Sequence, residues 1–113
     1  MSKACYKFLD FSNSIRKINK RYKLVEHKQV LVLEAVLAAY KDGITLSVLD
    51  LILMKEIASQ ATLHSITKLL IDSKLIKTEI CKVDARRKYV YPTKLGISWL
   101  NDCSEILFAT TKK

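Results

Sequence analysis

The stretch Ser59–Gly96 limits the possible folds more than any other part of the chain, because it contains four successive local patterns. The patterns are a helix at about 60–73, a strand at about 76–82, a basic turn, and a second strand that ends at Pro92. In the first strand, Ile76, Thr78 and Ile80 alternate with Lys77, Glu79 and Cys81, which predicts that one of its faces is buried. Pro92 ends the second strand because proline cannot donate the next ladder hydrogen bond. The stretch therefore predicts a helix, a strand, a basic wing and a second strand, in that order.

The predicted helix at 60–73 has one apolar face and one small, polar face. Its apolar residues have the spacing of a buried stripe. They are Leu63, Ile66 and Leu70, with Leu69 beside them. The other face carries Ala61, His64, Ser65, Lys68 and Asp72. Ser59 can cap the helix because its hydroxyl can accept a hydrogen bond from an unpaired amide of the first turn. A helix of this kind, followed by a basic hairpin, is suited to enter a groove of DNA.

Two motifs in this stretch occur together in a known family. The first is Ser59-Gln60-Ala61-Thr62-Leu63-His64-Ser65-Ile66 with the strand start Leu75-Ile76, and the second is Asp84-Ala85-Arg86 followed by Thr93-Lys94-Leu95-Gly96. In order and internal spacing they resemble the DNA-binding core of the MarR family of winged-helix regulators. The resemblance implies a mainly α fold with a small β wing, in which flanking N- and C-terminal helices surround a winged helix-turn-helix. It also implies a homodimer that regulates transcription on double-stranded DNA.

One set of candidate DNA contacts lies on the helix that begins after the capping serine. The set is Ser59, Gln60, Thr62, His64, Ser65 and Lys68. By resemblance this helix would lie in the major groove. Glutamine can pair with adenine through two hydrogen bonds, and serine or threonine can serve base edges or phosphates. The amides of the first turn can bind a phosphate directly. For His64, a solvent-facing position without a DNA contact is an equally good interpretation.

A second set of candidate DNA contacts lies on the wing. The set is Asp84, Arg86, Arg87 and Lys88. A narrow, A·T-rich minor groove has enhanced negative potential and attracts arginine. By resemblance, Arg86 is the arginine that enters the groove, and Asp84 orients it through a charge-assisted hydrogen bond. The alternative is that Asp84 and Arg86 only stabilise the hairpin.

Two positions depart from the family pattern. Lys74 stands where many members have glycine, so either a lysine adopts a left-handed backbone there or the turn differs. Ser65 stands where many members have arginine, which changes the expected base contacts.

The composition agrees with a small basic helical domain. The 113 residues are expected to form one domain over 1–113. Only two glycines and one proline are present, which favours long regular elements over a β-sandwich. The net charge of +9 indicates a polyanionic partner, although charge alone does not distinguish DNA from RNA, a membrane surface or an acidic protein.

The rest of the chain is predicted to be mainly helical. Helices are expected at 3–23, 26–41, 46–55 and 94–108, the last of them capped by Thr93, with a short strand at 44–45 that pairs with the wing. The winged helix-turn-helix would occupy 26–92. The first helix and the last one, within 93–108, would form the dimer. In the last helix the expected buried face carries Ile97, Leu100, Cys103 or Ser104, and Leu107, with Trp99 and Phe108 flanking it. The basic cluster 16–23 is either a solvated face or a flanking phosphate contact.

Catalysis, cofactors and metals are not expected. The sequence has no phosphate-binding glycine loop and no catalytic serine or zinc motif, and its three cysteines form no CxxC pair. Cys5, near Lys3 and Lys7, has the setting closest to a sensor thiol, whereas Cys81 and Cys103 are predicted packing positions. No signal-peptide pattern follows Met1 and Ser2, and no apolar run approaches the ~20 residues that span a bilayer. A cytoplasmic protein with no membrane partner is therefore expected.

Two other functions use the same fold. The first is a plasmid or viral replication or partition protein, whose DNA-facing residues would be the same. The second is a protein-interaction module without DNA binding, which the basic wing tip disfavours. The sequence does not choose an operator, an effector or the direction of regulation.

Overall fold

A computed structural model describes residues 3–111 as five helices and a three-stranded antiparallel sheet. After a 3₁₀ turn at Lys3–Tyr6, the elements are α1 (Lys7–Arg21), α2 (His27–Lys41), β1 (Leu46–Ser47), α3 (Val48–Ile52), α4 (Gln60–Asp72), β2 (Ile76–Ile80), β3 (Lys88–Pro92) and α5 (Lys94–Thr111). The sheet order is β1-β3-β2, and β2 and β3 form the wing hairpin with Thr78 opposite Val90. Met1, Ser2, Lys112 and Lys113 lie outside the described residues. The prediction about a signal peptide, which concerns Met1 and Ser2, therefore falls outside them as well.

Most predicted elements are present, but several bounds were wrong. The short strand is Leu46–Ser47 rather than 44–45, although it does pair with the wing through β3. The helix after it covers only Val48–Ile52, because Ser47 caps it in a reciprocal capping box with Asp50 and thereby fixes its start. Strand β2 ends at Ile80 rather than at residue 82, and Ile80 is exposed rather than half-buried. Helix α5 continues to Thr111, past the expected end at residue 108.

The core lies where α2, α4 and the sheet meet. Its completely buried side chains include Leu33, Leu51, Leu63, Leu70 and Leu75. Helix α4 therefore buries the predicted stripe of Leu63, Ile66 and Leu70. One member was misplaced: Leu69 is exposed, and Thr67 is buried in its stead.

The buried face of α5 matches the predicted one only in part: Ile97 and Cys103 pack against the core as expected. Trp99 is almost fully buried, with Cys103 and Ile106 half-buried on the same side, whereas Leu100 and Leu107 are exposed. Trp99 Nε1 donates to Asn19 Oδ1 at 2.7 Å. Tyr22 OH donates to Asp102 Oδ2 at 2.6 Å and lies 3.0 Å from Ser98 Oγ. These polar contacts fix the two helices against each other.

Two helices end with a lysine in the left-handed backbone conformation. Lys74, which follows α4, has φ +62°, and Lys23, which follows α1, has φ +64°. In both cases the next amide returns to the helix: Leu75 N–H donates to the Leu70 carbonyl (3.0 Å) and Leu24 N–H to the Asn19 carbonyl (2.8 Å). This is the hydrogen bonding of a Schellman cap, at a position that usually favours glycine. The left-handed alternative considered for Lys74 is therefore the correct one.

The start of α5 is locked onto the end of α4. Thr93 Oγ1 lies 2.6 Å from the Lys74 carbonyl oxygen and accepts a hydrogen bond from the Gly96 amide (3.1 Å), so Thr93 caps α5 as predicted. Gly96 packs directly against the Leu75 carbonyl, and a Cβ at this position would overlap that oxygen. The Thr-x-x-Gly motif therefore fixes the angle at which α5 leaves the wing.

Candidate nucleic-acid interface

The first turn of α4 is organised by its capping serine. Ser59 Oγ accepts from the Thr62 amide at 3.3 Å and donates to Thr62 Oγ1 at 3.0 Å. Ser65 Oγ donates back to the Ala61 carbonyl at 3.2 Å, so its hydroxyl proton is engaged within the helix. Of the six candidates on this helix, Thr62 is half-buried and the others are exposed. The exposed face is the one predicted, with Leu63 and Ile66 turned to the core.

The wing tip is a short loop held by backbone hydrogen bonds. The Arg87 amide donates to the Asp84 carbonyl (3.0 Å), and the Cys81 amide donates to the Arg87 carbonyl (2.8 Å). Asp84 Oδ1 accepts from the Arg86 backbone amide at 3.0 Å and from Arg86 Nε at 3.3 Å. The Arg86 side chain is nevertheless 92% exposed. Asp84 therefore orients an arginine that projects into solvent, which is the geometry expected of this pair.

A cleft of about 440 Å³ lies between α3, the start of α4 and the wing. Its lining includes Gln60 and His64 from α4 and Arg86, Arg87 and Lys88 from β3 and the loop before it. Residues on separate predicted elements thus face one another across a single groove. Three cations on one wall make the groove attractive to an anion.

The remaining candidates do not line this cleft. Ser59 and Thr62 are hydrogen-bonded to each other at the N-terminal cap of α4. Lys68 lies on α4 two turns beyond Ala61, towards the C-terminal end of the helix. Asp84 accepts a hydrogen bond from the Arg86 amide in the wing loop. The wall contributed by α3 and its C-terminal cap was not predicted from the sequence; Leu49 and Leu53 are exposed there. No local signal marked them, since the apolar run from Leu46 to Met54 has no single polar face.

The cysteines differ in environment. Cys81 lies beyond the end of β2, in the wing loop, so its assignment as a strand packing residue was wrong. Hydrogen bonds from the backbone of Asp84 and Val83, and from Tyr89, lower the pKa of its thiol. Burial in the α5 contact raises the pKa of Cys103 to about 11. Of these two thiols, Cys81 is the one whose thiolate is stabilised.

Other kinds of site were sought over the described range 3–111. Within it, no group of three or more histidine, cysteine or acidic side chains is arranged to hold a metal ion. None of its helices is both long and apolar enough to cross a membrane.

The fold is similar to those of several solved regulators. A DNA complex of MepR from S. aureus is 20% identical with a TM-score of 0.72, and the match covers 88% of this chain and 77% of MepR. MepR bound to ethidium bromide is 20% identical with a TM-score of 0.65, over 99% of this chain and 79% of MepR. The transcriptional regulator Tm0710 from Thermotoga maritima is 14% identical with a TM-score of 0.64, over 86% of this chain and 64% of Tm0710. No protein-family model and no curated protein matches the sequence. The similarities confirm the winged-helix fold that the resemblance implied.

Proposed function

We propose that this chain is a MarR-like winged-helix regulator that binds double-stranded DNA and controls transcription, most simply by occluding a promoter. The observation that carries the proposal is the cleft, where the polar face of α4 meets a wing bearing Arg86, Arg87 and Lys88. The fold it shares with MepR, which has been solved bound to DNA, supports the same function. The similar structures are regulators rather than enzymes, which agrees with the absence of catalytic motifs in the sequence.

In this proposal α4 lies in the major groove. Gln60 is exposed at the first position of the helix and can pair with adenine through two hydrogen bonds. His64 lies one turn further on the same face and also lines the cleft. Lys68 continues this face and is long enough to contact a phosphate. The exposed first-turn amides carry the positive end of the helix dipole and favour a phosphate there.

The wing enters the adjacent minor groove. Arg86 projects from the tip while Asp84 holds its Nε, so the guanidinium loses less side-chain freedom on binding than an unrestrained arginine would. A narrow A·T-rich groove is the preferred site for such a side chain. Arg87 and Lys88 add phosphate contacts.

The protein acts as a homodimer through α1 and α5. The described molecule is elongated, 57 × 25 × 22 Å, and apolar side chains at Phe8, Leu9, Leu100 and Leu107 are exposed on these two helices. Apolar surface of this kind usually marks a protein contact. A two-fold dimer would present two copies of α4 to half-sites about one helical turn apart, on the order of 34 Å.

Fluorescence anisotropy with random and A·T-rich duplexes, at several salt concentrations, tests the proposal. We expect the Arg86→Ala variant to bind about 1–3 kcal/mol more weakly on the A·T-rich duplex. The control is Lys94→Ala, which also removes one positive charge. Lys94 lies at the start of α5, past the C-terminal end of α4, whereas Gln60 lies at the N-terminal end of α4. The Lys94→Ala variant should bind like the wild type.

Three outcomes separate the alternatives. Unchanged affinity of Arg86→Ala would contradict the minor-groove role of the wing. Absence of binding to any duplex at low salt would favour a protein-interaction module. A natural site composed of repeats within a replication origin would favour a replication or partition protein over a promoter-bound regulator.

A further inference from the structure

Two leucines beside α4 face solvent: Leu49 on α3, and Leu53 at the cap that ends α3. Leu49 is 63% exposed and Leu53 is 45% exposed, and their spacing of four residues places them on the same side of the helix. Their neighbours Leu51 and Ile52 are buried and hold α3 in the core. The structure therefore fixes α3 firmly while leaving two large apolar side chains in water.

These leucines form one wall of the cleft described above. The opposite wall carries Arg87 and Lys88, and His64 lies on α4 between the two walls. One acidic group, Asp50, also lines the cleft, but its Oδ2 accepts a hydrogen bond from the Ser47 amide at 3.2 Å as part of the α3 cap. The cleft is therefore apolar on one side and cationic on the other.

We propose that this cleft holds the sugar–phosphate chain of one DNA strand, with Leu49 and Leu53 packed on its deoxyribose faces and Arg87 and Lys88 on its phosphates. The inference rests on the proposed function: when α4 lies in a major groove and the wing in the neighbouring minor groove, the strand separating the two grooves must pass between them. That strand alternates C–H surface with anionic phosphate, which matches the two walls of the cleft.

The assignment gives the leucines a role that is independent of base sequence. Removing apolar contact with deoxyribose should weaken binding to every duplex, since all nucleotides carry the same sugar. It should leave the number of neutralised phosphates unchanged, and with it the salt dependence of binding. Loss of a cation from the opposite wall should instead reduce the slope of log K against log salt by about 0.9 per phosphate contact.

The test compares two double variants in duplex-binding titrations over a range of salt concentrations. Leu49→Ser/Leu53→Ser should bind about tenfold more weakly at every salt concentration, with an unchanged slope. Arg87→Ala/Lys88→Ala should reduce the slope by about 1.8. Leu49→Met/Leu53→Met should retain wild-type affinity because methionine preserves apolar contact, and Val25→Ser, an exposed apolar position between α1 and α2, is the control outside the cleft.

Each titration is repeated on a duplex in which deoxyuridine replaces every thymidine. Equal binding of the wild type to both duplexes, together with the loss in the serine variant, supports the sugar contact. A wild type that weakens on the uracil duplex while the serine variant does not would assign the leucines to thymine methyl groups and overturn the inference. Wild-type affinity in the serine variant would also overturn it while leaving the proposed function intact. A wild type that binds no duplex overturns the proposed function and this inference together.

Discussion

The two ends of the molecule expose opposite kinds of surface on equally regular helices. Around α4 and the wing, the exposed side chains include Arg86, Arg87 and Lys88, and the apolar face of α4 is buried in the core. Along α1 and α5, the projecting side chains include Phe8 and Leu107, and the contact beneath them is partly polar. The first surface suits a polyanion and the second suits another apolar surface.

If the protein functions as proposed, stability and recognition are distributed differently at the two ends. At the wing end, residues that fold the chain and residues that face outward occupy separate faces, so contacts can be removed there without unfolding the protein. At the other end, α1 and α5 carry both the polar contacts that hold them together and the exposed apolar side chains, so folding and the proposed association would be coupled. Four variants, one of them a double substitution, test this contrast.

The largest effect is expected on association. In the proposed dimer, Phe8→Ser/Leu107→Ser would remove apolar area from α1 and α5 of each subunit, and the dissociation constant of that dimer should increase by at least about a hundredfold. Sedimentation equilibrium measures this constant directly. Ile80→Ser is the matched control, since it removes an exposed apolar side chain from the wing and should leave association unchanged. A dimer that survives the double substitution would contradict the assignment of α1 and α5 to the interface.

The next effect concerns the junction between the two ends. Gly96→Ala would place a Cβ against the Leu75 carbonyl, a backbone atom that cannot move aside, so unfolding should become about 2–3 kcal/mol easier. Urea denaturation followed by circular dichroism gives this free energy. Gly43→Ala is informative beside it, because Gly43 has φ +70° but open space around it, and its cost should be only about 1 kcal/mol. Equal costs at both glycines would mean that α5 is not locked to the wing.

A smaller, pH-dependent effect is expected at the polar tie. Tyr22→Phe removes the hydrogen bonds to Asp102 and Ser98 and should lower the free energy of unfolding by about 1.5–3 kcal/mol at neutral pH. The hydrogen bond to Asp102 raises the pKa of Tyr22 above its ordinary value of 10.0. The protonated phenol therefore stabilises the folded state fully below pH 10 and loses that contribution as the pH rises through the raised pKa.

The difference between wild type and Tyr22→Phe should accordingly shrink in urea titrations carried out above pH 10. Tyr40→Phe, at an exposed tyrosine on α2, should show little difference at any pH. A constant difference across the range would contradict the linkage to tyrosine ionisation.

The smallest effect is a gain in stability. Thr67 is buried in α4, and its Oγ1 is a fully buried side-chain oxygen with no hydrogen-bond partner among the described residues. Thr67→Val keeps the shape and removes the unpaired hydroxyl, so unfolding should become about 1 kcal/mol harder. DNA affinity should not change, because this side chain faces the core. A change in affinity would show that the buried face of α4 influences its exposed face.

Local patterns predicted the wing end well. The Ser59 cap, the stripe of α4, the strand end at Pro92 and the Thr93 cap each depend on residues a few positions apart, so the sequence was sufficient. The relation of Asp84 to Arg86 was equally local. The cleft itself brings α3 next to Arg86, Arg87 and Lys88, which follow it by more than 30 residues, and only the fold brings these walls together.

The predictions of buried and exposed faces were wrong where contacts with residues distant in the sequence determine which face is buried. In α5, Trp99 and Leu100 could each belong to a buried apolar stripe. Trp99 is the one that is buried, and its indole N–H bonds to Asn19 of α1. In β2, alternation predicts a half-buried Ile80, but the sheet ends there and nothing covers that side chain. In α3, apolar residues occur on every side, so the exposed Leu49 and Leu53 could not be distinguished from core residues.

The position of the single tryptophan gives the protein a built-in optical probe. Trp99 is 3% exposed and its indole N–H is bonded to Asn19, so its emission should be blue-shifted while α1 lies on α5 and shift to the red when they separate. The chain has no other tryptophan, so the wing contributes nothing to this signal. Intrinsic fluorescence can therefore follow motions at one end of the molecule while a labelled duplex reports on the other, in the same cuvette and without modifying the protein.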